Sequence, residues 1–298
     1  MTDRRQVPQI FDRMALRQRL ARAQDGATAT FLLDRVIEDL CDRLAVTLRP
    51  FPRVLDIETP LPALANALAA LPGARRIVRL APVPEPEAHG FETVAGDAEA
   101  LPFAVSSFDL VVSALALQWV NDLPGTLVQI RRALAPDGLF LGCLAGGQTL
   151  HELRQALTQA EAEISGGASP RVSPFADLRD LGALLQRAGF ALPVADADTI
   201  TVRYDNVFAL MADLRAMGAT NILTQRSRKF LRRSVLLRAA EIYAERFADA
   251  DGRIRATFEI VWLSGWAPHE SQQKPLQPGS ARMRLADALK TKDYGEER

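Results

Sequence analysis

Gly96-Asp97-Ala98-Glu99-Ala100-Leu101-Pro102-Phe103, followed by Ser107-Phe108-Asp109-Leu110-Val111-Val112-Ser113, is the stretch that decides the fold. Its second part is a short, almost unbroken apolar run, the pattern of a strand covered on both faces. Downstream, residues 123–134 have helical spacing and end at Pro136-Asp137-Gly138, a turn whose proline and glycine set the backbone. Residues 138–143 read as the next strand. Upstream, residues 53–57, 76–80 and 91–95 read as three more, with a helix expected at 62–71. Strands alternating with helices at this spacing imply an α/β fold, a parallel sheet with helices on both faces.

Away from that block the pattern changes. The first fifty residues carry apolar positions at helical period, from Phe11 to Leu44, and Pro50 and Pro52 end them. After residue 145, helices are expected at 149–164, 177–188, 207–217 and 227–247, and strands at 199–204 and 254–262, before a polar, proline-containing tail. Three parts follow: an N-terminal helical segment (1–50), a core (51–145), and a C-terminal part of the same domain (146–298) in which residues 206–248 form a helical lid.

Composition excludes several classes. The 298 residues are 48% hydrophobic, and 36 basic side chains balance 36 acidic ones. That zero net charge argues against a nucleic-acid partner. Cys41 and Cys143 stand alone, without the spacing of a disulfide framework or zinc site. No apolar run reaches the length of a membrane span, and residues 1–12 lack the apolar stretch of a secretory signal. A soluble cytoplasmic protein with no integral membrane segment is expected.

The central block, continued through Leu117-Gln118-Trp119-Val120 and Ile130-Arg131-Arg132-Ala133-Leu134-Ala135-Pro136-Asp137-Gly138, resembles the class I S-adenosylmethionine-dependent methyltransferases. More narrowly, Phe11-Asp12-Arg13, Val172-Ser173-Pro174-Phe175, Ala256-Thr257-Phe258-Glu259-Ile260 and the string from Gly265 through Trp266-Ala267-Pro268-His269-Glu270-Ser271 to Leu276 resemble bacterial homologues of the mitochondrial complex I assembly factor 5 family. The resemblance implies a Rossmann-like, mostly parallel seven-stranded sheet with a C-terminal antiparallel strand. It also implies S-adenosylmethionine as cofactor and a protein substrate, a complex I subunit modified on arginine. A looser resemblance is to the O-methyltransferase that acts on a carrier-protein thioester.

In such a fold ligands lie beyond the carboxyl ends of the strands. The family builds its cofactor pocket from a glycine-rich turn after strand one, an acid ending strand two, and an acid with a backbone N–H after strand three. Here the turn reads Asp56-Ile57-Glu58-Thr59-Pro60-Leu61-Pro62, without glycine, and strand two ends Val78-Arg79-Leu80-Ala81, without an acid. Asp97-Ala98 retains the third element. By position, the cofactor-side candidates are Asp56, Ile57, Glu58, Asp97, Ala98, Ser113 and Ala114, and the substrate-pocket candidates are Trp119 and His269. Four have structural alternatives: Asp56 and Asp97 as turn caps, Trp119 as a buried aromatic, His269 as an anchor for the tail.

His89, His151 and His269 show no metal-ligand spacing, so no metal is expected, and His151-Glu152 reads as a surface helix start. Arg226, Arg228, Lys229, Arg232 and Arg233 read either as a solvated helix face or as a dock for an acidic partner. Three functions stay open: a protein-modifying enzyme using S-adenosylmethionine, a non-catalytic assembly factor with a rewritten cofactor pocket, and a small-molecule or carrier-protein O-methyltransferase.

Overall fold

Arg53–Ile57 forms the central strand β1 because four of its five residues are apolar or internally paired and can be covered from both sides; Val54 to Ile57 are all buried. In the computed structural model, which describes residues 8–24, 26, 28–85 and 90–273, this strand organises a seven-stranded sheet. On one side β1 pairs in parallel with β2 (Arg76–Ala81), Val54 opposite Ile77, and β2 pairs with β3 (Glu92–Ala95). On the other side lies β4 (Phe108–Ala114), then β5 (Leu134–Ala145), both parallel. The sheet is completed by β7 (Ile254–Trp266), antiparallel to β5, and by β6 (Ala191–Tyr204) on the edge. The order β3-β2-β1-β4-β5-β7-β6 is the mostly parallel architecture implied by the sequence.

Strand alternation sends neighbouring side chains into different cores. Val54, Leu110, Val112, Leu139 and Leu141 belong to one cluster, and Leu55, Val111 and Phe140 to the other. The first cluster is covered by α2 (Phe31–Ala45), α3 (Ala63–Ala69), α5 (His151–Ser165), α7 (Val207–Ala216) and α8 (Arg233–Phe247). The second is covered by α4 (Leu123–Ala133) and α6 (Leu178–Arg187), capped by the side chains of Asp122 and Asp177. The N-terminal α1 (Arg13–Gln24) joins neither: Leu16 and Leu20 pack with Phe11, Ile222 and Leu223 in a satellite cluster. The chain divides into two compact units, Met1–Pro268 and His269–Arg298.

Some local expectations change. Helix α8 begins at Arg233, not at residue 227. Residues 227–232 carry three cations and no acid, and a helix running on into Arg233 would stack like charges three and four residues apart. Instead the Ser227 hydroxyl accepts the Lys229 amide, and the Arg226 guanidinium donates to the Leu223 carbonyl. The expected turn at 136–138 lies inside β5 as an irregularity: Leu134 pairs with Phe108 and Leu139 with Leu110, with Asp137 at φ 62° between them. Edge strand β6 starts at Ala191, well before the expected 199. Glu152 is no surface group; it is buried and accepts hydrogen bonds from the Thr257 amide and hydroxyl.

Candidate functional site

The carboxyl ends of β1, β2 and β4 meet around two ionic clusters. In the first, Asp56 and Arg79 are wholly buried and 2.7 Å apart. Arg79, in the middle of an apolar strand, donates to Asp56, to both oxygens of Glu85, and to the Thr59 carbonyl. The Thr59 hydroxyl donates to Asp56 at 2.5 Å and accepts the Ala114 amide at 3.1 Å, stitching β1 to β4. A second stitch is the Ser113 hydroxyl on the Ile57 carbonyl. Burial lifts the Asp56 carboxyl above its ordinary value against the pull of Arg79 and Thr59. Burial works against the Arg79 cation, yet Glu85 and Asp56 together hold its pKa above the usual arginine value.

The second cluster closes over the first turn. Glu58 adopts φ 52°, a left-handed conformation that glycine takes without a steric penalty and other residues seldom adopt. Its side chain is turned inward and almost fully buried. One carboxylate oxygen accepts the Ala98 amide at 2.8 Å, and both accept from Arg13 of α1 at 2.7 and 2.9 Å. Arg13 also donates to Asp97 at 2.9 Å, while Arg17 holds the other Asp97 oxygen at 2.7 Å. Burial leaves the Glu58 carboxyl raised despite Arg13 and the Ala98 amide. Burial pushes the less enclosed Asp97 up too, but the Glu99 amide, Arg13 and Arg17 hold it below the ordinary value. Arg13 keeps two buried nitrogens, Nε and Nη1, without a hydrogen-bond partner.

Beside these clusters opens a cavity of about 310 Å³, walled mainly by aliphatic and aromatic side chains. Leu16 and Leu20 of α1, Leu33 of α2, Trp119, Phe175 and Leu214 are among them. Trp119 is set edge-on to Phe11 and Phe175, with ring centroids 5.8 and 6.1 Å away. Among the described residues Glu58 is the single acid of the lining, and the Gln118 amide oxygen on the same wall is buried without a partner.

The structure thus brings Asp56, Ile57, Glu58, Asp97, Ala98, Ser113 and Ala114 into one neighbourhood at the strand ends, and sets Trp119 in the cavity wall. Asp56 accepts from two side chains, the Thr59 hydroxyl of the turn and the Arg79 guanidinium. His269 opens the second unit, where its Nδ1 lies 2.7 Å from the Ser271 hydroxyl. His89 lies outside the described residues, and among the described residues no group of three or more His, Cys, Asp and Glu gathers as a metal site. Sequence reasoning did not foresee the partners Arg13, Arg17, Glu85 and Thr59. One signal was available: an arginine amid Ile77-Val78 and Leu80-Ala81 needs a buried counter-charge.

These residues do not fit S-adenosylmethionine as the family holds it. The close-approach turn carries an inward Glu58 side chain. The Ala98 amide and Asp97, expected to read adenine, are already satisfied by Glu58, Arg13 and Arg17. Strand β2 ends at Ala81 without the ribose acid, and two residues before that end stands a cation, Arg79, committed to Asp56 and Glu85.

Comparison with known proteins places these observations in a family context. Residues 53–142 match the model of a methyltransferase domain. Over 296 residues the chain is 38% identical to the mitochondrial arginine-hydroxylase NDUFAF5 of Danio rerio, covering 96% of this chain and 91% of that one. The Mus musculus protein of the same name is 40% identical, with 95% and 85% covered. A malonyl-acyl-carrier-protein O-methyltransferase of Gallionella capsiferriformans is 32% identical, with 87% and 92% covered. Among solved structures, the YcgJ protein of Bacillus subtilis superposes with a TM-score of 0.52 at 16% identity, covering 78% of this chain and 99% of that one. The cyclase SpnF does so at 0.50 and 16%, covering 85% and 93%. These last likenesses carry the fold alone.

Proposed function

Because the chain belongs to the family of the arginine-hydroxylase NDUFAF5, within the methyltransferase fold, we propose that it serves the assembly of respiratory complex I by holding an arginine-bearing segment of a subunit in its apolar cavity, without S-adenosylmethionine. The observation that carries this reading is the Glu58–Arg13–Asp97 cluster, which takes up the backbone amide and the acid that a cofactor would need. The unpartnered Gln118 oxygen supplies an acceptor for a guanidinium, and the aliphatic walls suit the methylenes behind it. The one carboxylate among the described lining residues, Glu58, is tied to Arg13 and the Ala98 amide, so the chain's contribution is binding and orientation.

Calorimetric titration with S-adenosylmethionine and S-adenosylhomocysteine tests the first part, with no heat expected up to millimolar cofactor. An opened variant, Glu58→Gly with Arg13→Ala and Arg17→Ala, frees the Ala98 amide, releases Asp97 from both arginines and should gain weak binding. Micromolar binding by the unaltered protein would refute the cofactor-free reading. It would favour the second reading, methyl transfer to a protein or carrier thioester, which the 32% identity to the malonyl-carrier-protein enzyme supports. Capture of complex I subunits by the full chain, weakened by Trp119→Ala, tests the partner.

A further inference from the structure

Charge on this neutral protein is segregated. Residues 214–240 contain seven basic side chains and no acidic one, and α1 contains four arginines and no acid. The fold brings the two segments together. The Asp12 amide donates to the Ile222 carbonyl, Phe11 bridges to Leu223, and Arg19 donates to the Asn221 carbonyl. Asp12 is shared by Arg226 at 2.8 Å and Arg228 at 4.0 Å. Burial, and then the nearness of Arg226 and Arg22, lowers the Arg19 pKa, as expected where like charges crowd one face.

The part of this face that projects outward mixes charge with apolar surface. Arg228, Lys229, Arg232 and Arg233 are exposed, and Phe230 in their midst is fully so, at 101%. Ile10 and Met14, on either side of Asp12, are exposed to 44% and 64%. Segment 227–232 is not helical, and within it Leu231 turns inward to line the cavity while Phe230 stands in solvent. An acidic protein surface would answer the cations but would need an apolar pocket of its own to receive the projecting ring. A ring that enters the acyl boundary while its neighbours meet anionic head groups accounts for both.

We propose that the 226–233 segment, with the adjoining end of α1, docks the protein on an anionic lipid surface, Phe230 inserting and Arg228, Lys229, Arg232 and Arg233 lying among the head-group phosphates. The cavity lining includes Leu20 and Arg215 and, from this segment, Leu231. This surface is independent of the cofactor question.

The test is sedimentation of the full chain with vesicles of phosphatidylcholine alone and with added phosphatidylglycerol. Each exposed cation contributes roughly fivefold to partition on an anionic surface, so R228E/K229E should lower binding on the order of 25-fold or more. Wild-type protein should sediment with the anionic vesicles only, and raised salt should release it. Phe230→Ser should weaken binding several-fold, and Phe230→Trp should bind and shift its emission to the blue. All three variants alter exposed groups, and an unchanged melting temperature verifies their folding. Equal binding to neutral vesicles, indifference to the charge reversal, or emission from the F230W variant that does not move on adding anionic vesicles would overturn the proposal. So would binding to soluble polyglutamate as tight as to vesicles, which would assign the face to an acidic macromolecule.

Discussion

Replacing Arg79 with Met keeps most of the side chain's volume and removes one fully buried positive charge. Asp56 would retain the Thr59 hydroxyl as a donor, and Glu85 would lose both of its bonds to the guanidinium. Breaking a buried ion pair by removing one partner costs about 3–5 kcal/mol, because the remaining charge stays desolvated. At about 2–4 °C per kcal/mol for a chain of this size, the melting temperature should fall by roughly 10 °C. Without the cation, burial raises the Asp56 pKa further above its ordinary value. A group raised in the folded state contributes its stability at low pH and loses it as pH rises through the raised value. The variant's deficit should therefore be smallest at or below pH ~4, the ordinary aspartate value, and largest at neutral pH and above. Urea unfolding followed by circular dichroism at both pH values reads this directly, and the double variant D56N/R79M should recover much of the loss. A deficit below about 1 kcal/mol that does not vary with pH would mean that water reaches these carboxylates, and the argument for a sealed cluster would fail.

Two further outcomes are expected. Thr59→Val removes the hydroxyl that joins Asp56 to the Ala114 amide, and should cost about 1–3 kcal/mol in urea unfolding, since that buried amide loses its partner. Glu161, largely buried, accepts from Ser169 and Arg171; burial pushes its carboxyl up, but these partners hold it below the ordinary value. Its contribution is thus present above the ordinary glutamate pKa and lost as pH falls through the lower folded value. Glu161→Gln should cost roughly 1.5–3 kcal/mol at neutral pH and little in acid, as a pH series of unfolding midpoints will show.

Much of the fold was legible along the chain because the central strands β1, β2 and β4 are short apolar runs with turns between them. Phe108–Ala114 and the block leading into it could be assigned from periodicity and resemblance together. Positions where several local preferences compete were misjudged: the start of α8, where stacked cations oppose a helical turn, and residues 136–138, absorbed into β5. The loss of the glycine turn was visible at Glu58 and Pro60. Its consequence was not, because the side chain that meets Glu58 comes from Arg13, 45 positions earlier, on a helix outside the main cores.

By itself the sequence determined the alternation of strands and helices, the mostly parallel sheet, and the fact that the ordinary cofactor turn is missing. Those depend on period, proline and glycine, which act on the backbone nearby. Tertiary structure alone decided what stands at the rewritten turn. Charges far apart in the chain meet there, Arg79 with Asp56 and Glu85, Arg13 with Glu58 and Asp97, because a buried charge must find a partner wherever the folded chain supplies one. The same long-range assembly set α1 beside residues 219–226 and so joined two arginine-rich segments into one face.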